Sequence, residues 1–248
     1  MRKFLGYIFT PVYAVYFYVL LLIFHPIMDF GIKFISDKFR KRMIETLNWL
    51  LIKGLIIVGV RPKVNGKEKL PKDRPLIVVA NHSSLLDIPP IVLVFKDYYP
   101  RFISKKELGH GIPSISHNLR YGGSALIDRE SGAQAVKQIL LLGRDIEKKK
   151  HAVCIYPEGT RSKNGKLKKF QSSGILTLLK TAPSAVIIPF VISGHYDLHK
   201  YGNYPLNFGA KVSYNILDPI EPKDFKDKKD IVPYVEKVIR EALGQTKG

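Results

Sequence analysis

The pairing of residue types most suited to chemistry in this chain is His82 with Asp87. Asn81-His82 closes an apolar run, Leu76 to Ala80, so the histidine stands where a buried strand meets its open end. Histidine is the side chain best matched to proton transfer near neutral pH, and a carboxylate on its second nitrogen would fix its tautomer. On a continuous helix, positions five apart lie about 140° apart around the axis. Contact between His82 and Asp87 therefore requires a turn, which Ser83, Ser84 and Pro89-Pro90 can supply.

Two further apolar runs end in charged groups. One is Ala125-Leu126-Ile127 followed by Asp128-Arg129. The other is Val153 to Tyr156, followed by Pro157-Glu158-Gly159-Thr160-Arg161-Ser162. In the second, glycine permits an unusual backbone angle, the hydroxyls can hydrogen-bond, and Arg161 offers a planar fork suited to phosphate. Lys166, Lys168 and Lys169 add positive charge nearby. If these ends converge, the site holds a base and a phosphate clamp. The usual nucleophile and nucleotide signals are missing: there is no Gly-x-Ser-x-Gly, no Gly-x-Gly-x-x-Gly and no P-loop. The one cysteine, Cys154, lies within a strand and reads as a small buried hydrophobe, and no His/Cys cluster suggests a metal. Such a site suits a base that activates a hydroxyl of the substrate itself. His195, in a loop with no obvious carboxylate partner, reads as a bystander.

The elements that must position these residues spell an α/β fold with a central mixed sheet flanked by helices. Strands are expected at Leu76–Ala80, Arg101–Ser104, Ala125–Ile127, His151–Tyr156, Ala185–Ile192 and within Pro205–Asn215. Helices are expected at Pro90–Phe95, Ala133–Leu142, Gln171–Leu179 and Ile231–Leu243. Pro189 inside the Ala185–Ile192 run suggests an edge, a bulge or a strand end. Asn65-Gly66 and Pro71-Lys72-Asp73 bracket a polar hairpin or loop ahead of Leu76.

Ahead of this domain the composition differs. Phe4 to Phe24 is apolar and rich in tyrosine, with no charge, and Arg40-Lys41-Arg42 follows. Met43 to Val60 is a second, amphipathic segment with Met43, Leu47, Leu50, Leu51 and Leu55 on one face. About 20 helical residues cross a hydrocarbon core, and the basic residues beyond favour a cytoplasmic position for that end. The organisation expected is a membrane-associating two-helix element at 1–60 and a catalytic domain at 61–248. The element either spans with its first helix or dips as a hairpin into one leaflet. The chain carries 40 Lys+Arg against 21 Asp+Glu, a formal charge of +19, which suits an anionic partner. A membrane surface fits better than nucleic acid, because the aromatic residues concentrate in the N-terminal apolar segment and do not interleave a basic face.

The blocks Asn81-His82-Ser83-Ser84-Leu85-Leu86-Asp87, Gly123 to Arg129, Glu158-Gly159-Thr160-Arg161-Ser162 and Val186-Ile187-Ile188-Pro189-Phe190 resemble, in order, the four motif blocks of the glycerolipid acyltransferase family. Leu126 stands where that family usually has phenylalanine. Within the family the likeness is greatest to bacterial enzymes that acylate 1-acyl-sn-glycerol 3-phosphate. The resemblance implies direct acyl transfer from an acyl thioester, on acyl carrier protein or coenzyme A, to the 2-hydroxyl of lysophosphatidic acid, giving phosphatidic acid. It implies no bound cofactor and no metal. His82 would be the general base and Asp87 its orienting acid. Arg161, with Glu158, Gly159 and Thr160, would place the acceptor phosphate, assisted by Arg129 and by Lys105. The acyl chain would lie in an apolar groove opening toward the membrane, at the cytoplasmic face of the cell inner membrane. Glycerol 3-phosphate or another lysophospholipid is an alternative acceptor, and a non-catalytic basic membrane-surface protein is the alternative of a different class.

Overall fold

The structure, a computed structural model, describes residues 1–128 and 130–245. Seven strands form one sheet: β1 (Lys63–Asn65), β2 (Leu76–Ala80), β3 (Arg101–Lys105), β4 (Ala125–Ile127), β5 (Ala152–Ile155), β6 (Val186–Ser193) and β7 (Ser213–Ile216). The helices are α1 (Arg2–Phe34), α2 (Asp37–Gly54), α3 (Ile88–Val94), α4 (Ile115–Tyr121), α5 (Gly132–Lys149), α6 (Ser172–Thr181), α7 (His195–Leu198) and α8 (Ile231–Ala242). The strand order is β1-β7-β6-β2-β5-β3-β4. Every neighbouring pair is parallel except β6 with β7, so the sheet is mixed as expected.

β2 lies at the centre between β5 and β6, and all five of its residues are fully buried. Its unbroken apolar run follows from burial on both faces. Leu76, Val78 and Ala80 point into a core shared with α1, α2 and α3. Ile77 and Val79 point into the opposite core, shared with α5, α6 and α8. The result is three layers, helix on sheet on helix, in which the two N-terminal helices cover part of one sheet face.

α1 is longer than the uncharged run predicts. Lys33 pairs with Asp29 one turn away at 2.7 Å, so charges continue the helix beyond Phe24 without ending it. At 33 residues it is about 50 Å long. It turns into antiparallel α2 through Ile35-Ser36, where Ser36 accepts a hydrogen bond from the Phe39 amide at 3.2 Å. Tyr16 then donates to the Leu50 carbonyl at 2.9 Å, and its ring lies against Gly54, where a Cβ would come within 2.2 Å of it. One stripe of α1 is buried along its length: Gly6, Thr10, Tyr13, Leu21, Phe24, Met28 and Gly31. The opposite stripe, including Phe4, Ile8, Val15, Leu22 and Phe30, is equally apolar and bare. Among the described residues α1 is the one helix long and apolar enough to cross a membrane.

Two local expectations need correction. The stretch after Arg61 is not only loop, because Lys63–Asn65 pairs in parallel with Ser213–Asn215 at the sheet edge. Helix α5 runs unbroken through Gly143 to Lys149, because Gly143 sits where a Cβ would meet Thr181 Oγ1 at 2.0 Å and is a close-packing glycine, not a stop. Pro189 lies in an interior strand, but at a bulge and a strand end as its proline suggests: between the Phe190–Ile216 pair and the Ile187–Ile220 bridge, residues 188–189 face residues 217–219, and β7 ends at Ile216. Its carbonyl accepts from Leu217 N at 3.0 Å, so its missing N–H faces the gap between the Phe190–Ile216 pair and the Ile187–Ile220 bridge, where β7 has already left the ladder.

Candidate active site

The carboxyl ends of β2, β3 and β5 meet on one edge of the sheet, and the end of β6 joins them through α7. At the end of β2, Asn81 replaces the next rung of the ladder with its side chain. Its amide donates to the Ile192 carbonyl at 2.9 Å, and its carbonyl oxygen accepts from the Ile192 amide at 2.8 Å. The backbone is thereby free to turn away from β6 and present His82. Ser84 caps the short 3-10 turn Leu85–Asp87, its hydroxyl accepting from Leu86 N at 3.1 Å.

This turn folds Asp87 back onto His82. His82 Nδ1 donates to Asp87 Oδ2 at 2.8 Å, and the amides of Ser83 and Ser84 donate to the same oxygen at 2.7 and 2.9 Å. Asp87 has 0 % exposure. Burial pushes its carboxyl up, but hydrogen bonds from His195 and His82 outweigh that and hold it well below the ordinary carboxylate range. The His82 ring stacks on Tyr156, centroids 4.1 Å apart. With Nδ1 engaged, Nε2 is the nitrogen left for a substrate.

Glu158 occupies a different position from the phosphate clamp with which sequence reasoning grouped it. Its Oε1 accepts from the His82 amide at 2.7 Å and its Oε2 from the Lys168 amide at 3.0 Å. The Ser162 amide donates back to the His82 carbonyl at 2.8 Å. Glu158 is therefore a bracket that ties the His82 turn to the Thr160–Lys168 loop. Burial raises its pKa, opposed by these amide hydrogen bonds.

Gly159 turns the chain at φ +72° with nothing within 4 Å of a would-be Cβ. Thr160 and Arg161 follow, both exposed. Lys168 Nζ donates to Thr160 Oγ1 at 2.7 Å and to the Arg161 carbonyl at 3.0 Å, which stiffens the loop and brings a second cation beside Arg161. The Arg161 guanidinium makes no ion pair among the described residues. Lys105 stands at the end of β3, exposed and likewise without an ion pair among the described residues. Arg129 lies outside the described residues.

His82, Lys105, Gly159, Thr160 and Arg161 all line one cavity of about 480 Å³. From them its walls become apolar through Leu85, Ile88, Ile103, Ile115 and Leu119, and reach Leu21 of α1 and Leu47 and Leu51 of α2. The volume falls within the roughly 300–1,000 Å³ of small-molecule sites. A base, a cationic rim and an apolar depth in one space fit an amphiphilic, anionic substrate. Among the described residues no cluster of three or more His, Cys, Asp or Glu could hold a metal.

The Acyltransferase family model matches residues 61–193, more than half of the chain. The chain belongs to the acyltransferase family. Among curated relatives, mouse 1-acyl-sn-glycerol-3-phosphate acyltransferase alpha is 24 % identical over 80 % of this chain and 68 % of its own length. The 1-acyl-sn-glycerol-3-phosphate acyltransferase of Saccharomyces cerevisiae is 31 % identical, over 74 % of this chain and 59 % of its own. Among solved structures, the 1-acyl-sn-glycerophosphate (LPA) acyltransferase PlsC from Thermotoga maritima superimposes with a TM-score of 0.78 at 27 % identity. That match covers 99 % of this chain and 97 % of the other, so the likeness of this acyltransferase extends through α1 and α2.

A second residue at the site departs from its sequence reading. His195 is no bystander: it places Nδ1 2.5 Å from Asp87 Oδ1 and Nε2 3.1 Å from the Tyr214 hydroxyl. It is fully buried. No spacing rule could reveal this, since 108 positions separate the partners.

Proposed function

We propose that this acyltransferase moves a fatty acyl group from an acyl thioester to the 2-hydroxyl of 1-acyl-sn-glycerol 3-phosphate at a membrane surface. The observation that carries the reading is the single cavity joining His82 to the Arg161 and Lys105 cations at one end and to α1 and α2 at the other. Cations there suit a phosphate and the apolar walls suit a chain. The names of the relatives point to the same acceptor.

In the proposed reaction the acceptor oxygen attacks the thioester carbonyl while its proton passes to His82 Nε2. Asp87 supports the imidazolium through Nδ1. The tetrahedral oxyanion then collapses, the carbon–sulfur bond breaks, and the leaving sulfur takes the proton back from His82. A carbon–oxygen ester has formed, a thiol has left, and His82 is neutral again. No acyl-enzyme is needed, in keeping with a cysteine, Cys154, that is buried within β5. The thiol carrier is acyl carrier protein or coenzyme A, and the +19 chain suits either acidic donor.

The two apolar stripes of α1 favour a position within one leaflet over a spanning helix. A helix docked on its own domain from Gly6 to Gly31 has one face left for lipid. Arg40 is buried and pairs with Asp37, as does Lys41, so Arg42 is the exposed cation of that cluster; with the bare face of α1 it supports attachment to the cytoplasmic face of the cell inner membrane.

The test is a donor-by-acceptor activity matrix on purified protein in detergent, with His82→Ala alongside. Transfer to 1-acyl-sn-glycerol 3-phosphate, abolished in a folded His82→Ala protein, is the expected result. A preference for glycerol 3-phosphate would overturn the acceptor assignment, and near-normal turnover by the variant would overturn the general base.

A further inference from the structure

We propose that His195 is a positioning residue for this reaction, a neutral second imidazole that fixes Asp87 and through it His82. The inference rests on the acyl-transfer reading for its kinetic consequences, but its geometry stands independently.

Asp87 is fully buried, so its charge must be met by protein donors. Oδ2 receives three N–H groups, from His82, Ser83 and Ser84. Among the described residues, Oδ1 receives one, from His195 Nδ1 at 2.5 Å. Removing it leaves a buried anionic oxygen without a donor. The carboxylate would then rotate or shift toward its remaining donors, and His82 would follow.

The state of the His195 ring follows from donor counting. The Tyr214 hydroxyl is buried, and among the described residues its one partner is His195 Nε2, at 3.1 Å. A buried hydroxyl proton needs an acceptor. Nε2 must therefore offer a lone pair, which puts the ring proton on Nδ1, facing Asp87. His195 is then neutral: it gives Asp87 a hydrogen bond but no positive charge. The carboxylate charge stays available to the one imidazole that must become cationic, His82. The ring is further held edge-on to Tyr214, centroids 5.6 Å apart.

The backbone that delivers His195 is also constrained. Asn81 clamps Ile192, three residues before it. Gly194 has φ +86°, and a Cβ there would lie 1.9 Å from the Lys211 carbonyl oxygen. Residue 81, at the start of the catalytic turn, thus fixes both ends of the His82–Asp87–His195 chain. Glu158, which accepts from the His82 amide, has its carboxyl pushed up by burial. Burial holds Tyr214, Tyr156 and Cys154 in their protonated forms and pushes His199 toward its neutral form.

The experiment combines kinetics of His195→Ala and His195→Asn with ¹⁵N NMR of the wild-type imidazoles in detergent. His195→Ala is expected to lower kcat by about 10- to 100-fold, part of the roughly 10²–10⁴ that a positioned base supplies. Acceptor KM should hold. The acid limb of kcat/KM should move to higher pH, because a carboxylate that has lost a donor binds the His82 imidazolium more tightly. His195→Asn, whose amide can replace Nδ1–H, should recover kcat to within about threefold and restore the limb. Wild-type kcat and limb in His195→Ala, or equal losses in both variants, would overturn the proposal. The NMR arm needs no activity and no variant. An Nδ1-protonated neutral His195 is expected, and an Nε2-protonated or doubly protonated ring at neutral pH would overturn the proposal. Absence of transfer by the wild type would count against the acyl-transfer reading while the tautomer still decides the geometry.

Discussion

Replacing Asp87 with asparagine isolates the charge of the orienting acid from its shape. In the wild type His82 Nδ1 lies 2.8 Å from Asp87 Oδ2. At an effective dielectric constant near 20, opposite unit charges at that separation attract by about 6 kcal/mol, which is the ceiling on what Asp87 contributes to an imidazolium forming at His82. Asparagine keeps one carbonyl acceptor and loses the charge. Part of the attraction survives as an ordinary hydrogen bond, so kcat should fall by about 10³–10⁴, at 1.36 kcal/mol per factor of ten. The acceptor never touches Asp87, so KM should change little. Stability should also fall, because Oδ2 serves three N–H donors and Oδ1 serves His195. Whichever way the amide points, its NH2 meets a donor, at a cost of about 1–3 kcal/mol. The assay is initial-rate acyl transfer in mixed micelles at varied acceptor, with thermal unfolding as the check on folding. A folded Asp87→Asn protein with kcat within about tenfold of wild type would refute the charge-support role.

Other expectations follow from the same geometry. Arg161→Ala should raise acceptor KM by about 10- to 100-fold, the worth of a charge-assisted hydrogen bond, with little change in kcat, and an unchanged KM in micellar kinetics would remove Arg161 from phosphate placement. Val15 and Leu22 are 64 % and 59 % exposed on the bare stripe of α1, so the double change Val15→Glu, Leu22→Glu should leave the fold intact. It should weaken liposome cosedimentation by about 100-fold or more, at roughly 1.5–3 kcal/mol per apolar side chain, and undiminished cosedimentation would mean that this stripe does not meet lipid. Stability should fall between pH 6.5 and 4. Burial, with Arg40 nearby, pushes the His117 pKa down to about 4, and burial with Arg101 does the same to His151. Below pH 6.5 the unfolded chain binds protons there that the native chain does not, so stability drops as pH falls, by at most about 2 kcal/mol per histidine at pH 5. The Asp37 and Asp145 pairs have lowered pKa values and keep their contribution through this window. A flat melting temperature between pH 7 and pH 5 would contradict the burial of these imidazoles.

Much of the fold was legible because burial leaves a plain mark. The continuous apolar run of β2, ended by Asn-His, located the centre of the sheet and the direction in which it opens. Short edge elements leave no such mark. All three residues of β1 are exposed and only Val64 is apolar, and their pairing is decided by Ser213–Asn215, about 150 positions away. Pro189 pointed to an edge, a bulge or a strand end without choosing among them, since its cost depends on whether the neighbouring strand is still paired, which local sequence does not state. At the site, residues within one turn were readable: the five-residue reach from His82 to Asp87 and the Gly159–Arg161 elbow. Residues whose role is set by a distant partner were not. Glu158 offered a carboxylate beside an arginine, and only the fold shows that backbone amides consume both of its oxygens. His195 had no partner in its own stretch and found one across the sheet.

The docking of α1 also sets an order of events in synthesis. Near its start, the Thr10 hydroxyl accepts from the Leu206 amide at 2.9 Å, the Tyr7 carbonyl accepts from Tyr204, and Gly6 leaves no room for a Cβ beside the Leu206 carbonyl oxygen. Those partners emerge about 200 residues later, roughly 10–40 s at 5–20 residues per second. For that interval the most apolar helix of the chain exists without the surface that will cover its inner stripe. A lipid leaflet is the solvent that can hold both stripes until then. If the bare stripe of α1 meets lipid as proposed, the leaflet is the surface on which the sheet closes around α1.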